Sequence, residues 1–198
     1  MKKTMSALAV LSTLFTAAQA QSNVSMYGLL DQALVYTSNV DAAKGSLVSM
    51  KSGGMNTSRF GFRGTEDLGS DLKAVFQLES GIRIDTGTQD DSTALFNRQA
   101  NVGLQGKFGR VIVGRSFSTT YDFLLPFDPM GYAPVYSWAI SGNASAPTAG
   151  GAVRKDGMLT GVSNLVKYQG DFGPFKIGAT YGLGEEAGST SGSAKYDV

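Results

Sequence analysis

Between residues 58 and 66 the side chains alternate in character. Phe60 and Phe62 face one way, and Arg59, Arg63 and Thr65 face the other. A period of two is the mark of a strand with unlike faces. The pattern recurs at 72–80, where Leu72, Ala74, Phe76 and Leu78 oppose Lys73, Gln77 and Glu79. At 175–183, Phe175, Ile177, Ala179, Tyr181 and Leu183 oppose Lys176 and Thr180. At 24–37, Val24, Met26, Gly28, Leu30 and Leu34 oppose Ser25, Tyr27, Asp31 and Thr37. Further strands are expected at 96–105, 110–116 and 162–169, with a last one beginning at Ala194. A chain built from such segments folds as an antiparallel sheet.

The connections sort by length. Residues 66–71, 106–109 and 170–173 read as short turns, whereas 38–57, 81–95, 117–160 and 184–193 are long. Long and short alternate along the chain. A meander then carries its long loops at one end and its short turns at the other, which is the asymmetry of a membrane barrel.

Residues 1–20 read as an export signal. Lys2 and Lys3 are the charged start, Met5 to Phe15 is the apolar stretch, and Ala18-Gln19-Ala20 is the cleavage site. Residues 21–198 form the rest, one β-domain. No later apolar run approaches the roughly 18 residues of a membrane-spanning helix. A sheet in lipid must close so that every backbone polar group is paired, with one face toward hydrocarbon and the other toward water. Phe60 and Phe62 against Arg59 and Arg63 meet that demand. The aromatics Tyr27, Tyr36, Tyr168, Phe172 and Tyr181 suit girdles at the membrane interfaces. A soluble barrel with its apolar face inward satisfies the same alternation.

Composition narrows the chemistry. The 198 residues include no His and no Cys, which removes His general bases, thiolate nucleophiles and disulfide scaffolds. With 17 basic and 16 acidic residues the charge is balanced, so no nucleic-acid partner is expected. No catalytic group and no cofactor is expected either. At 42% hydrophobic the chain is too apolar to be disordered.

Several runs resemble Gram-negative general porins of the β-proteobacterial, trimeric type. They are Val24-Ser25-Met26-Tyr27-Gly28-Leu29-Leu30-Asp31, the stretch from Ser58-Arg59-Phe60-Gly61-Phe62-Arg63 to Gly81, Phe96-Asn97-Arg98-Gln99-Ala100, Val113-Gly114-Arg115 and Tyr181-Gly182-Leu183-Gly184-Glu185. The resemblance implies an all-β antiparallel transmembrane barrel of 16 strands, of which about seven to eight lie here. It implies an exported outer-membrane channel passing small hydrophilic solutes and ions, a homotrimer in contact with lipid. It also implies a third long loop, roughly 117–150, folded into the pore with its acidic residues facing arginines on the wall. By position Arg59 and Arg98 match wall arginines, with Arg63 and Lys73 near them and Glu79 among the polar strand residues. Asp122 and Asp128 match the acidic side. Opposed charges of this kind filter solutes by size and sign.

Two departures stand out. The family pattern has a third wall arginine where this chain has Gly161, so the cluster is weaker or is rebuilt by Arg154. At 97–105 polarity turns Asn97, Gln99 and Asn101 inward and Arg98 outward, whereas the family pattern turns Arg98 inward; the family pattern is followed here. Sixteen spanning strands of about 9–11 residues need about 145–175 residues before any loop is counted. The sequence therefore reads as the N-terminal part of such a barrel, not expected to form a stable pore alone. Two other readings stay open. One is a small eight-stranded barrel acting as anchor or adhesin. The other is a secreted enzyme or sugar-binding β-protein using Glu66/Asp67 or Asp90/Asp91, residues that turn chemistry explains better.

Overall fold

The computed structural model describes residues 23–40, 43–134, 137, 161–183 and 190–196. Residues 1–20, expected to be an export signal, and Arg154 lie outside them. The strands are β1 (Asn23–Leu29), β2 (Gln32–Ser38), β3 (Ser46–Ser52), β4 (Arg59–Gly69), β5 (Leu72–Arg83), β6 (Thr88–Gln89), β7 (Gln99–Gly106), β8 (Gly109–Ser116), β9 (Val162–Phe172), β10 (Phe175–Leu183) and β11 (Thr190–Tyr196). A short helix, α1 (Thr119–Leu124), and a 3-10 turn (Leu125–Phe127) follow β8. The ladder runs β1-β4-β5-β7-β8-β9-β10-β11, with β6 beside β5 and β2–β3 as a separate pair. Every pairing is antiparallel. No helix among the described residues is long and apolar enough to cross a membrane.

These eight ladder strands correspond to the eight segments expected from alternation, except that the last begins at Thr190 and not at Ala194, and with three further corrections. The segment 24–37 does not run through. It breaks at Leu30-Asp31, because the Asp31 carboxylate accepts the amides of Gly54, Met55 and Asn56 at 2.8, 3.0 and 2.9 Å. A side chain that draws three amides from a distant segment onto itself takes that segment's backbone donors away from the ladder. Beyond the break the ribbon resumes as β2–β3, with Leu34 opposite Met50 and Tyr36 opposite Val48. Hence 38–57, expected as loop, contains a strand. Thirdly, β4 continues to Gly69 and β9 to Phe172, so the turns shrink to Ser70-Asp71 and Gly173-Pro174. Ser70 and Asp71 both have positive φ, 52° and 64°, the geometry that matches the twist of a two-residue hairpin.

Register assigns the faces. Tyr27, Gly61, Glu79 and Gln99 stand side by side across β1, β4, β5 and β7. Asn101, Ile112, Lys167 and Thr180 continue the same face. The opposite face carries Met26, Phe62, Leu78, Val102, Val113, Val166 and Tyr181. It is this apolar face that lies open: Met26 is 74% exposed and Val102 55%. The polar face is covered, with Gln99, Asn101, Lys167 and Thr180 all buried. The small apolar cluster of Val75, Ile112 and Leu165 also lies on it. A soluble barrel requires the reverse, so the exposed apolar face demands hydrocarbon. Tyr168, Phe172 and Tyr181 stand on this outer face, but Tyr27, expected in a girdle, does not.

All short turns close one end of the ladder, and the long connections leave from the other. Among the described residues the two outermost strands, β1 and β11, each have a single ladder partner and do not pair with one another. A closed eight-stranded barrel would need that pairing.

Candidate functional site

The centre of the polar face is organised by a glycine. Gly61 lies between Tyr27 and Glu79 in register, and a Cβ there would sit 2.4 Å from the Leu78 carbonyl oxygen and 2.9 Å from the Tyr27 hydroxyl. With no Cβ in the way, the tyrosine lies across β4. Its hydroxyl donates to Glu79 Oε2 at 2.8 Å and accepts from Gln77 Nε2 at 2.7 Å. Glu79 is 5% exposed and faces two guanidinium groups. Arg98 Nε is 2.7 Å from Oε1, and Arg59 Nε is 3.7 Å from Oε2. Arg59 is also tied to Asn56 Oδ1 and the Thr57 carbonyl, at 2.7 and 2.9 Å. Two positive charges against one negative leave this patch cationic.

Arg98 reaches the polar face for a reason that strand alternation does not contain. The strand β7 starts at Gln99, so Arg98 precedes it and is free of the alternation. Gln99 and Asn101 occupy the polar face as periodicity required, while Arg98 swings to Glu79 from the strand's end. Both halves of the conflict at 97–105 resolve in this way. Its guanidinium carbon lies 5.1 Å from the centre of the Phe117 ring, and Phe117 stacks on Tyr121 of α1 at 4.4 Å. That chain of contacts couples the arginine to the helix.

Helix α1 begins at Ser118, whose Oγ accepts the Tyr121 amide at 3.2 Å, a standard N-cap. It lies on the polar face against β10. A Cβ on Gly178 would come within 2.8 Å of both Phe123 and Thr119, so glycine there permits the close approach. The Thr119 amide donates to Thr180 Oγ1 at 3.0 Å. Lys167 Nζ donates to the Phe117 carbonyl at 2.9 Å and pairs with Asp122. Gln169 Nε2 donates to the same carboxylate at 2.8 Å. Burial pushes the Asp122 carboxyl above its usual range, against the opposing pull of Lys167, Gln169 and Arg110.

The expected site residues therefore divide. Arg59, Glu79 and Arg98 come together, and Arg63 joins them with its guanidinium 5.2 Å from the Tyr27 ring centre. Lys73 does not. It is exposed, six residues along β5 from Glu79, about 20 Å at ordinary strand rise. Asp122 faces Lys167 instead of the arginines. Asp128 holds its own loop: its carboxylate accepts the amides of Met130 and Tyr132, at 3.0 and 2.9 Å, and the Ser137 hydroxyl. The Ser137 hydroxyl, helped by those amides, keeps the Asp128 carboxyl below the usual range. These local bonds, invisible in a Pro-Phe-Asp-Pro spacing, tie it to its own loop.

The sequence reading passed over Tyr27, Lys167 and Arg115 as site residues. Tyr27 and Lys167 carried a signal, since both sit at polar positions of expected strands. Arg115 carried none, because a bulge after Gly114 (φ +122°) shifts its register. Its Nε donates to the Asn97 carbonyl at 2.6 Å and its Nη1 to Ser163 Oγ at 2.7 Å. A Cβ at Gly161 would lie 2.6 Å from its Nη2. Gly161, where the resemblance implies a wall arginine, thus leaves room for a guanidinium arriving from the neighbouring strand. Among the described residues no group of three or more Asp, Glu, His or Cys is arranged to hold a metal ion.

Comparison with known proteins gives concordant findings. A family model described as Gram-negative porin matches residues 7–198. Outer membrane porin protein 32 of Delftia acidovorans is 37% identical over 193 residues, 94% of this chain and 51% of its own length. An outer membrane porin protein of Bordetella pertussis is 40% identical over 144 residues, 66% of this chain and 37% of its own. Among solved structures, the anion-selective porin from Comamonas acidovorans superposes with a TM-score of 0.69 at 35% identity, covering 84% of this chain and 48% of that one. The chain thus spans about half the length, or less, of these relatives.

Proposed function

Because this chain belongs to the Gram-negative porin family, we propose that residues 21–198 form the N-terminal part of an outer-membrane channel. It passes small hydrophilic solutes and ions by diffusion and prefers anions. Residues 1–20 are the leader removed on export. One observation carries the reading. The polar face holds Arg59 and Arg98 against the single carboxylate of Glu79, beneath a helix, while the apolar face of the same strands lies bare. A ring of fixed charge beside a narrowing selects permeant ions by sign. The relative described as an anion-selective porin supports the sign. The channel assembles as a homotrimer, as a solved porin of Vibrio cholerae described in a trimer form does. Diffusion through such a pore needs no reacting group and no cofactor.

The test is the reversal potential of the purified outer-membrane protein in a potassium chloride gradient. Replacing both Arg59 and Arg98 with alanine leaves Glu79 unopposed and moves the selectivity toward cations. An unchanged reversal potential in the double variant overturns the assignment.

A further inference from the structure

Below α1, toward the short-turn end of the ladder, the polar face opens into a groove of about 690 Å³, within the range of small-molecule sites. Its floor includes Arg110, Gln105 and Gln169, and the helix side supplies Phe123, Pro126 and Phe127. The charges around it are matched, with one exception. Lys107 pairs with Asp71 at 2.8 Å and Lys176 with Asp171 at 3.0 Å. Asp122, the acid facing this groove from α1, is bound by Lys167 and Gln169. The Arg110 side chain makes no hydrogen bond or ion pair among the described residues, although it feels the charge of Asp122, and its Nε is buried without a hydrogen-bond partner.

A buried donor on a charged group calls for an acceptor. The Nε is enclosed, but the half-buried guanidinium lines the groove, and its paired Nη donors make a fork that a carboxylate fills with two parallel bonds. The apolar wall says more about the guest. Phe127 is 81% exposed beside the groove, an open ring face that a flat apolar body would cover.

From these features we infer that the groove is a solute-binding station for aromatic carboxylates, with the carboxylate on Arg110 and the ring against Phe123 and Phe127. This deepens the channel reading and rests on it for the route by which the solute arrives. The station is separate from the Arg59–Glu79–Arg98 patch, on the other side of the Asp122–Lys167 contact.

The experiment uses the protein isolated from outer membranes in detergent, with benzoate as probe and acetate as control. Binding is followed by calorimetry, which does not depend on conduction. Benzoate binds saturably in the millimolar range, and acetate binds at least fivefold more weakly. Arg110→Gln weakens benzoate at least tenfold. Arg110→Lys, which keeps the charge and loses the fork, weakens it about threefold and serves where the first variant does not fold, as judged by heat-modifiable mobility on gels. Absence of saturable benzoate binding, or equal benzoate affinity in the wild type and the folded Arg110 variants, overturns the proposal. Equal affinity for acetate overturns the aromatic class. Chloride conductance of the same preparation is read separately. Conduction without benzoate binding sinks this inference alone, and a preparation that binds benzoate without conducting sinks the channel reading alone.

Discussion

Glu79 lies between two arginines, and removing its charge while keeping its shape tests whether permeant ions pass this point. Glu79→Gln retains an oxygen for the Tyr27 hydroxyl and takes one negative charge from beside Arg59 and Arg98. An ion passing about 6 Å from a unit charge in water feels about 0.7 kcal/mol, reduced to about 0.4 kcal/mol by screening at 0.1 M salt. Anions and cations shift in opposite directions, so their difference changes by about 0.8 kcal/mol, about a fourfold rise in the anion-to-cation permeability ratio. In 1 M salt the screening length falls to about 3 Å and the gain shrinks below about 1.5-fold. The assay is the reversal potential of single channels at both ionic strengths. Losing one partner of a buried ion pair costs up to about 3–5 kcal/mol. The arginine side chains here are 22% and 15% exposed, which lowers that cost, and gel mobility before and after heating checks that the barrel is intact. An unchanged ratio at 0.1 M salt, or a shift toward cations, refutes the reasoning, because ions would then travel too far from Glu79 to feel it.

Three further outcomes follow from the same geometry. Tyr27→Phe removes the hydroxyl that joins Glu79 to Gln77 and lowers unfolding stability by about 1.5–3 kcal/mol, measurable by denaturant titration in detergent. Gly178→Leu forces atoms into a gap where even a Cβ meets Phe123 and Thr119 at 2.8 Å. Such overpacking costs about 1–3 kcal/mol and pushes α1 off the wall, so single-channel conductance falls; unaltered conductance would mean that the helix adapts in place. Asp128 binds its loop with a carboxyl held below the ordinary value of 3.8. The native state therefore binds fewer protons than the unfolded one between the two values, and this stabilisation is complete above pH 3.8 and lost as pH falls through the lower one. Protection of the Met130 and Tyr132 amides from hydrogen exchange, corrected for intrinsic rate, should collapse on acidification in that window. In Asp128→Ala it should already be low at pH 6.

The strand ladder was legible because alternation is a local property. Phe60 and Phe62 against Arg59 and Arg63 need only the two-residue period to be placed on opposite faces, and the structure puts them there. The order of long and short connections likewise follows from counting along the chain. Which face lay open could not be read locally. A soluble barrel and a membrane barrel share the period, and the bare flank of Met26, Val102 and Val113 is what separates them.

Alternation made the site legible for three of its residues, and the family resemblance for Arg98. Arg59, Arg63 and Glu79 are strand residues, and their face was set by their neighbours. Arg98 depended on where β7 begins, and Arg115 on a bulge that resets register. Asp31 interrupts a strand because three amides from twenty-odd residues away converge on it. Asp128 is held by its own loop's amides and the Ser137 hydroxyl, partners that its spacing in the sequence does not show. Sequence alone determined the ladder strands, their face parity and the absence of His and Cys chemistry. The tertiary structure decided which charges meet, since a pairing such as Asp122 with Lys167 joins residues 45 positions apart and exists only once the ladder has fixed its register and Gly178 has let the helix down onto it.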